Sequence, residues 1–457
     1  MIDNLVVFVY LISILFTGLL NRAKNKDLKT YSSIANISRG YGILMIATIF
    51  ASAVGGGTVF GLTQKAYIGA IAYPIAFMFN VVFDVLIAKY IVPRLALHYQ
   101  KQTPGDIMAQ YYGTLGRIIA GIGTIISSMG YLAAQILVSG TIFQYILEIN
   151  KIYAIFFSYA IVIAYTTFGG LKSIVFTNLL QFFTMIIAVP IIAIIGIKTV
   201  GWSSVVEYFM TDSKFITNNL AQEVLALSIS FSVITIYPTF IQRILLDKEA
   251  RNTTKAIYIK SIIYFFFIAI IMANGVIVSY LFPGQDPALA FCNMIDDTIP
   301  VGLKGLVIIG LLSATMSTAD SDLNVISISL TKDIISPIFN IKNNTKLLMF
   351  AKIANIVIAL VAILLALKFE HVVDLVVFIT GFWVPIVCVP LVFALYKVVV
   401  SKWQMGICSF LGGVAFASWH AHMTICNIKG VFIGALVSCI ALSITHYLNG
   451  KCAKSTS

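Results

Sequence analysis

Residues 302–330 read GLKGLVIIGLLSATMSTADSDLNVISISL, an apolar segment long enough to cross a membrane as a helix. Its middle is polar, with adjacent hydroxyls at Ser317 and Thr318 and carboxylates at Asp320 and Asp322. A bilayer tolerates such groups only where protein, water or an ion satisfies them. The segment therefore predicts a membrane-spanning helix that carries a functional site.

The composition extends this conclusion to the whole chain. The chain has 457 residues, of which 60% are hydrophobic and 11% are charged, and its mean hydropathy is +0.97. A soluble domain of this size would need far more charge on its surface. Apolar runs of roughly twenty residues recur along the chain, separated by short polar connections. We therefore predict an all-α polytopic membrane protein that forms a single transmembrane domain over residues 1–457.

The apolar runs predict about 13 transmembrane helices. The predicted spans are residues 3–20, 41–63, 68–92, 115–147, 151–168, 174–198, 221–245, 257–282, 302–334, 346–367, 371–397, 402–420 and 428–448. With the N-terminus outside, 23 of the 30 Lys and Arg residues fall on the inner side. This bias follows the positive-inside rule. We predict a multi-pass protein of the cell membrane with an outside N-terminus and a cytoplasmic C-terminus.

The net charge of +12 is explained by an inner face that meets anionic lipid. The chain has no contiguous basic run, so we predict a lipid bilayer around it and no nucleic-acid partner. The six cysteines form no CxxC or other metal-ligand spacing. His420 and His422 fall in a predicted outside loop, where a metal pair is an alternative to a plain loop. We predict no cofactor.

Two spans contain residues that break a helix. Gly55–Gly57 interrupts the second span, and each glycine weakens a helix by about 1 kcal/mol relative to alanine. Pro238 interrupts the seventh span, because proline removes an amide and clashes with the preceding turn. Each break has two interpretations: freed backbone groups that face an ion or a solute, or ordinary packing and kinking. Gly169–Gly170 predicts a short inside turn between the fifth and sixth spans.

Helical geometry groups part of the polar stretch in the ninth span. The carbonyl of Ala314 lies one turn before the hydroxyls of Ser317 and Thr318, so these three groups can converge on one ion. The alternative is that each hydroxyl only bonds its own backbone. Asp320 and Asp322 lie about 200° apart around the helix, so they do not act together on one ion.

The spacing of the two breaks adds a global argument. They occur five spans apart, in the second and seventh spans, as expected for the first helices of two five-helix halves in opposite orientations. Broken helices at matching positions of inverted repeats indicate the midplane binding site of a transporter.

Three stretches resemble the sodium/solute symporter family: Ala51–Gly61, Tyr165–Gln181 with its Gly-Gly turn, and Ala314–Asp333. The resemblance covers roughly residues 1–400, with the motifs in the expected order. It implies a LeuT-like core of five-plus-five inverted repeats. The first repeat would occupy residues 40–200 and the second residues 220–398. Residues 1–39 would add an N-terminal helix and loop, and residues 402–457 two C-terminal helices.

The resemblance also implies a sodium site. Carried over residue by residue, its ligands are the carbonyls of Ala51, Val54 and Ala314 and the hydroxyls of Ser317 and Thr318.

Two positions depart from the family pattern. Ala53 stands where proline transporters of the family carry an acid, and Asn178 stands where many members carry an aspartate on the inner ion route. Asp320 or Asp84 is a candidate to supply the missing negative charge. The motifs are nearest to choline, proline and pantothenate transporters. The aromatic cage expected for choline is not evident, because Ala53 and Tyr237 occupy the positions of its two tryptophans.

The predicted function is sodium-coupled symport of a small organic solute into the cell by alternating access. The solute would be an amino acid such as proline, choline or betaine, or a vitamin-like organic anion. The candidate substrate residues, which lie at or near the two breaks, are Ser52, Gly56, Gln135, Ser232 and Tyr237. Trp383 is either a gate aromatic or a packing residue. We expect a monomer.

Other classes of function remain as alternatives. One alternative is a transporter of the same fold that uses protons instead of sodium. Another is a transporter-like membrane sensor that acts with a partner protein. A channel would conduct without alternating access. A membrane enzyme would need an acid/base cluster, for which His98 with Asp106 is the nearest pair, and we predict that the chain is not an enzyme.

Overall fold

A computed structural model describes residues 2–21, 27–34, 42–147, 150–232, 235–368, 381–422 and 430–455. All regular elements in these ranges are helices, as the composition predicts. They are α1 Ile2–Leu20, α2 Leu28–Ser32, α3 Gly42–Ala53, α4 Gly56–Tyr67, α5 Ala72–Tyr90, α6 Val92–Ala96, α7 Pro104–Leu147, α8 Lys151–Val200, α9 Trp202–Thr211, α10 Leu220–Ser232, α11 Pro238–Ile244, α12 Ala250–Leu281, α13 Pro287–Thr298, α14 Leu303–Ser329, α15 Ser336–Ile338, α16 Asn344–Lys368, α17 Val389–Leu395, α18 Lys402–His422 and α19 Gly430–Ser455. Two π-helical segments, Leu330–Ile335 and Val384–Cys388, lead into α15 and α17.

The predicted break in the second span is present. Helix α3 ends at Ala53, α4 begins at Gly56, and the two axes differ by 55°. The last bond of α3 runs from the amide of Val54 to the carbonyl of Phe50. The amide of Thr58 then bonds the carbonyl of Gly55 and starts the next helix. Glycine allows this change of direction at little steric cost.

The predicted break in the seventh span is also present. Helix α10 ends at Ser232, and α11 begins with Pro238 at its first position. Tyr237, the residue before the proline, is extended, with φ −105° and ψ 167°. Proline disfavours helical geometry in the residue that precedes it, which explains this conformation. Residues 233 and 234 lie outside the described ranges.

Two further glycines divide the longest helices. Gly170 has φ 67° inside α8 and forms the predicted turn between the fifth and sixth spans. A Cβ there would lie 2.6 Å from the carbonyl oxygen of Tyr31, so only glycine fits. Gly113 has φ 64° and separates a short leading helix from the span in α7. Residues 104–112 fall between the predicted spans 68–92 and 115–147, and the structure shows that they are helical rather than a loop.

Helix α14 occupies the centre of the bundle. It packs against α8, α7, α1 and α16, and against both halves of the first broken helix. Every residue from Val307 to Ser329 is buried. The polar stretch of the ninth span therefore faces protein on all sides, as its composition requires.

Helix α1 is fixed to the N-terminal end of α14. The carboxylate of Asp3 accepts hydrogen bonds from the amides of Gly302 (2.8 Å) and Gly305 (2.7 Å). A carboxylate at this position also compensates the positive end of the helix dipole. The N-terminus and residues 302–305 therefore lie at the same end of the bundle, as the predicted topology requires.

Eight described helices are long and apolar enough to cross a membrane, and the bent pair α3–α4 makes nine. The chain is therefore a multi-pass membrane protein. The count of thirteen spans remains a prediction, as do the four segments proposed within the domain and the absolute orientation.

Two basic residues at the ends of predicted spans are buried. Arg243 and Lys260, counted among the charges on the inner side, both lie inside the bundle. The ammonium group of Lys260 lies 2.7 Å from a carboxylate oxygen of Asp84, between α12 and α5. Ser261 donates a hydrogen bond of 2.8 Å to the same oxygen. Asp84 is thus one half of a buried ion pair that joins two helices.

Candidate functional site

The predicted sodium ligands come from two helices that meet at the first break. The hydroxyl of Ser317 lies 2.9 Å from the carbonyl oxygen of Ala51 and 3.3 Å from that of Ala314. The hydroxyl of Thr318 lies 3.4 Å from each of these carbonyl oxygens. Four of the five predicted oxygens are therefore adjacent, although they belong to segments more than 260 residues apart.

The break explains why these oxygens can serve an ion. A helix leaves its last four carbonyls without intrahelical partners, and Ala51 lies in the last turn of α3. Val54 follows the end of that helix and is fully buried. Unwound carbonyls of this kind coordinate cations in transporters with broken helices. All the predicted ligands are neutral and buried, and Thr318 is the most exposed at 8%.

Gln135 joins α7 to the start of α4. Its side-chain oxygen accepts a hydrogen bond of 2.7 Å from the amide of Gly56, one of the amides that lack a partner at a helix N-terminus. Gly55, the preceding residue, offers no side chain to cap the helix. Gln135 and Gly56 were each predicted as substrate residues, and the structure brings them together.

Close packing accounts for two of the three glycines. A Cβ on Gly56 would lie 2.2 Å from the methyl group of Thr315, and one on Gly55 would lie 2.8 Å from the amide nitrogen of Gln135. A Cβ on Gly57 would meet no atom of the described residues within 4 Å. Both interpretations given above therefore apply to the three glycines. They break the second span, and two of them let α7 and α14 pack closely against α4.

Tyr237 links the two breaks. Its hydroxyl donates a hydrogen bond of 3.0 Å to the carbonyl of Ser52. Its ring lies 6.5 Å from that of Tyr131 on α7. Trp383 is buried, and its indole nitrogen donates to the carbonyl of Ile236 at 2.7 Å. Trp383 thus satisfies a backbone group of the second break.

Ser232 is not joined to the other candidate substrate residues. Its hydroxyl bonds the carbonyl of Ile229 in the same helix at 2.7 Å. Ser52 donates in a similar way to Thr48, at 2.7 Å, but it also contacts Ser321 on α14 at 3.4 Å. Four of the five candidates therefore make contacts at the breaks with other helices. They are Ser52, Gly56, Gln135 and Tyr237.

The two carboxylates of α14 face different partners, as the helical spacing predicted. Asp320 accepts hydrogen bonds from Tyr165 on α8, at 2.7 Å, and from Ser321, at 3.1 Å. Asp322 accepts no hydrogen bond from either of these two residues in the described part of the chain. Both carboxylates are buried.

Asn178 contacts the first broken helix. Its amide donates to the hydroxyl of Thr48 at 3.0 Å, one turn before Ser52. Its own side-chain oxygen has no hydrogen-bond partner among the described residues. The residue therefore lies beside α3, the helix that ends next to the predicted sodium ligands.

Arg243 was missed as a residue of the site. It is fully buried, and its guanidinium donates to Ser321 at 2.7 Å, to Gln242 at 3.2 Å and to Ser52 at 3.4 Å. Gln242 in turn donates to Asn324 on α14 at 3.3 Å. A signal was present in the sequence, because Arg243 fell inside a predicted span, where a charge is a functional hypothesis by default.

The pair considered for an enzyme is not a pair in the structure. Asp106 forms ion pairs with Lys332, at 2.6 Å, and with Arg117, at 3.1 Å. His98 contacts the hydroxyl of Tyr111 instead. No cluster of His, Cys, Asp or Glu suited to a metal occurs in the described part of the chain. The side chains of His420 and His422 lie outside that part.

Comparisons with known proteins agree with this architecture. The chain is 25% identical over 296 residues to the high-affinity proline transporter PutP of Bacillus subtilis. It is 24% identical over 370 residues to the sodium/myo-inositol cotransporter 2 of Sus scrofa. These matches cover 61% and 70% of the chain, but only 62% and 54% of the two relatives.

One solved structure has the same fold over nearly the whole chain. It is a sodium-coupled sialic acid symporter in a substrate-bound, outward-open state, with a TM-score of 0.84 at 17% identity over 98% of each chain. The family described as sodium:solute symporter matches residues 38–402, well over half of the sequence. The chain therefore belongs to the sodium:solute symporter family.

Proposed function

We propose that this protein couples the entry of sodium to the uptake of a small organic solute by alternating access. The observation that carries the proposal is the meeting of Ser317 and Thr318 with the carbonyls of Ala51 and Ala314 at the first break. Each hydroxyl now donates to these carbonyls. On rotation, both hydroxyls turn their lone pairs to the same point, and four oxygens of two helices then surround a cation.

The ion acts by joining the two helices. Sodium that binds Ala51 and Val54 on one side and α14 on the other stabilises the arrangement in which α3 and α14 are close. An ion shifts a conformational equilibrium only through its different affinity for the two states. When the two helices separate, the oxygen set is divided and the affinity for sodium falls.

The membrane potential supplies much of the driving force. One positive charge that moves down 100 mV releases about 2.3 kcal/mol, which supports roughly 50-fold accumulation before any sodium gradient is counted. Asp320 is the proposed source of negative charge near this route. It lies on α14, the helix that carries Ser317 and Thr318, and its carboxylate accepts hydrogen bonds from Tyr165 and Ser321.

The solute is placed between the breaks, near Gly56, Gln135, Ser52 and Tyr237, with Ser232 a further candidate. These groups offer amide and hydroxyl hydrogen bonds and aromatic surface. Such a set suits a small polar solute of the size of proline or an inositol, the compounds named for the two relatives. We further propose a monomer with its N-terminus outside and its C-terminus in the cytoplasm.

Transport by purified protein in liposomes tests the proposal. A thermal-shift screen of amino acids, betaines, choline, vitamins, monocarboxylates and sugars, with and without sodium, first identifies the solute. Uptake of that solute should then require an inward sodium gradient. The double variant Ser317→Ala/Thr318→Ala should lose the sodium dependence. Ser327→Ala, which removes a buried hydroxyl whose described hydrogen bond goes to the carbonyl of Asn324 in the same helix, is the matched control.

Two results would contradict the proposal. Uptake by the unaltered protein that follows a proton gradient, with no effect of sodium, would make protons the coupling ion. Sodium-dependent binding of a solute without any flux would favour a sensor that acts with a partner.

A further inference from the structure

Arg243 is a buried cation held mainly by neutral groups. Its side chain is fully buried within the bundle, and no Asp or Glu of the described residues forms an ion pair with it. Asp320 and Asp322 interact with it only at longer range. A buried charge costs several kcal/mol unless its hydrogen bonds are satisfied, so this arginine requires a specific explanation.

The partners of the guanidinium belong to both halves of the proposed ion site. On one side it contacts the hydroxyl of Ser52, the residue after the ligand Ala51. On the other side it donates to Ser321, whose hydroxyl bonds the carbonyl of the ligand Ser317 at 2.9 Å. One rigid, planar group thus spans from α11 to α3 and α14.

Arginine suits this role better than lysine. Its guanidinium carries five donors in a fixed fork, whereas a lysine ammonium is a single point charge on a flexible chain. Here the fork uses three different nitrogen atoms for Ser52, Gln242 and Ser321. The positions of these three side chains relative to one another are therefore fixed by one guanidinium group.

From this geometry we infer that Arg243 is a positioning residue of the sodium site. It holds the α3 half and the α14 half of the ligand set at the distance that sodium requires, and its own described hydrogen bonds go to Ser52, Gln242 and Ser321 rather than to a ligand oxygen. The inference rests on the proposed function and extends it to a residue of the second broken helix. The break at Pro238 thereby takes part in ion binding as well as in solute binding.

The charge of Arg243 and its positioning role predict opposite changes in sodium affinity when the guanidinium is removed. A positive charge near a cation site repels the ion, so removal of the guanidinium charge would strengthen sodium binding. The positioning role predicts that removal weakens it, because the two halves of the site then separate. The direction of the change distinguishes the two explanations.

The test measures sodium binding without any solute. The melting temperature of the purified full chain is recorded as sodium replaces N-methyl-glucamine at constant ionic strength, which gives the half-saturating sodium concentration. Both Arg243→Lys and Arg243→Gln should raise that concentration at least tenfold. Ser321→Ala, which removes one partner of the fork, should give a smaller rise in the same direction.

Asn355→Ala is the matched control. Asn355 is fully buried and donates to Thr166 and Thr167, joining α16 to α8, and it contacts none of the five proposed ligands among the described hydrogen bonds. It should lower the melting temperature without changing the sodium concentration at half-saturation. An unchanged or lower half-saturating concentration in Arg243→Gln would overturn the inference. If Arg243→Gln does not fold, an unchanged value in Arg243→Lys or Ser321→Ala would overturn it equally. No sodium effect on the unaltered protein would instead refute the proposed coupling.

Discussion

The two broken helices satisfy their backbone groups in different ways. At the first break, Gly56 has an amide that needs a partner, and Gln135 of another helix supplies it. At the second break, Pro238 begins the helix and has no amide to satisfy. The first break therefore depends on the packing of neighbouring helices, whereas the second is largely determined by its own sequence.

The carbonyls at the two breaks differ as well. The carbonyl of Ala51 faces the hydroxyls of Ser317 and Thr318, which an ion can replace. The carbonyl of Ile236 is taken by the indole of Trp383. This difference supports the proposal that the ion binds at the first break, whereas at the second break an aromatic side chain satisfies the backbone. Three substitutions test it, in order of decreasing expected effect.

Gly56→Ala should have the largest effect, because the new methyl group would lie 2.2 Å from the methyl group of Thr315. Overpacking of this kind costs about 1–3 kcal/mol, and here it also pushes α4 away from α14. Sodium-dependent uptake should fall at least tenfold, measured in liposomes at equal protein content.

Gly57→Ala is the control for this change, since a Cβ there meets nothing within 4 Å. It should keep the stability and the activity of the unaltered protein. The double variant Gly56→Ala/Thr315→Ser should recover part of the loss, because it removes the contacting methyl group. Equal effects of the two alanines would show that the first break is not tightly packed.

Gln135→Leu should have an intermediate effect. The substitution leaves the amide of Gly56 without its acceptor, and an unsatisfied buried donor costs about 1–3 kcal/mol. The melting temperature should fall. Gln135→Glu, which keeps an acceptor for this amide, should lower the melting temperature less than Gln135→Leu does. A leucine variant as stable as the unaltered protein would mean that water satisfies this amide.

Pro238→Ala should have the smallest effect. Proline at the first helical position removes an amide that has no intrahelical partner, so its loss changes few bonds. The expected change in the free energy of unfolding is less than about 1 kcal/mol, measured by thermal denaturation in detergent. A loss as large as that of Gly56→Ala would show that both breaks depend equally on their neighbours.

Much of the site could be predicted because it follows from local chemistry. Three glycines and a proline inside apolar spans indicated both breaks, and the spacing of Ala314, Ser317 and Thr318 indicated a common face of one helix. The Gly-Gly turn at Gly169–Gly170 was likewise readable from its residues. These features depend on the backbone conformations that glycine and proline allow and on helical periodicity, so a short window of sequence suffices.

The partners of the buried polar groups could not be predicted in this way. Arg243 and Lys260 lie near the ends of the predicted spans 221–245 and 257–282, and nothing in those spans indicated their partners. The structure buries Arg243 between α3 and α14 and pairs Lys260 with Asp84. Nothing in the sequence near Gln135 points to Gly56, which lies 79 residues away.

The sequence by itself thus determined the membrane fold, the positions of the two breaks and the pair of hydroxyls proposed to face an ion. Only the tertiary structure decided which polar groups meet, including the contacts of Arg243 with both halves of the proposed site. The physical reason is that the rotation of each helix about its axis is set by packing against all of its neighbours. A side chain therefore finds its partner only when helices distant in the sequence come together.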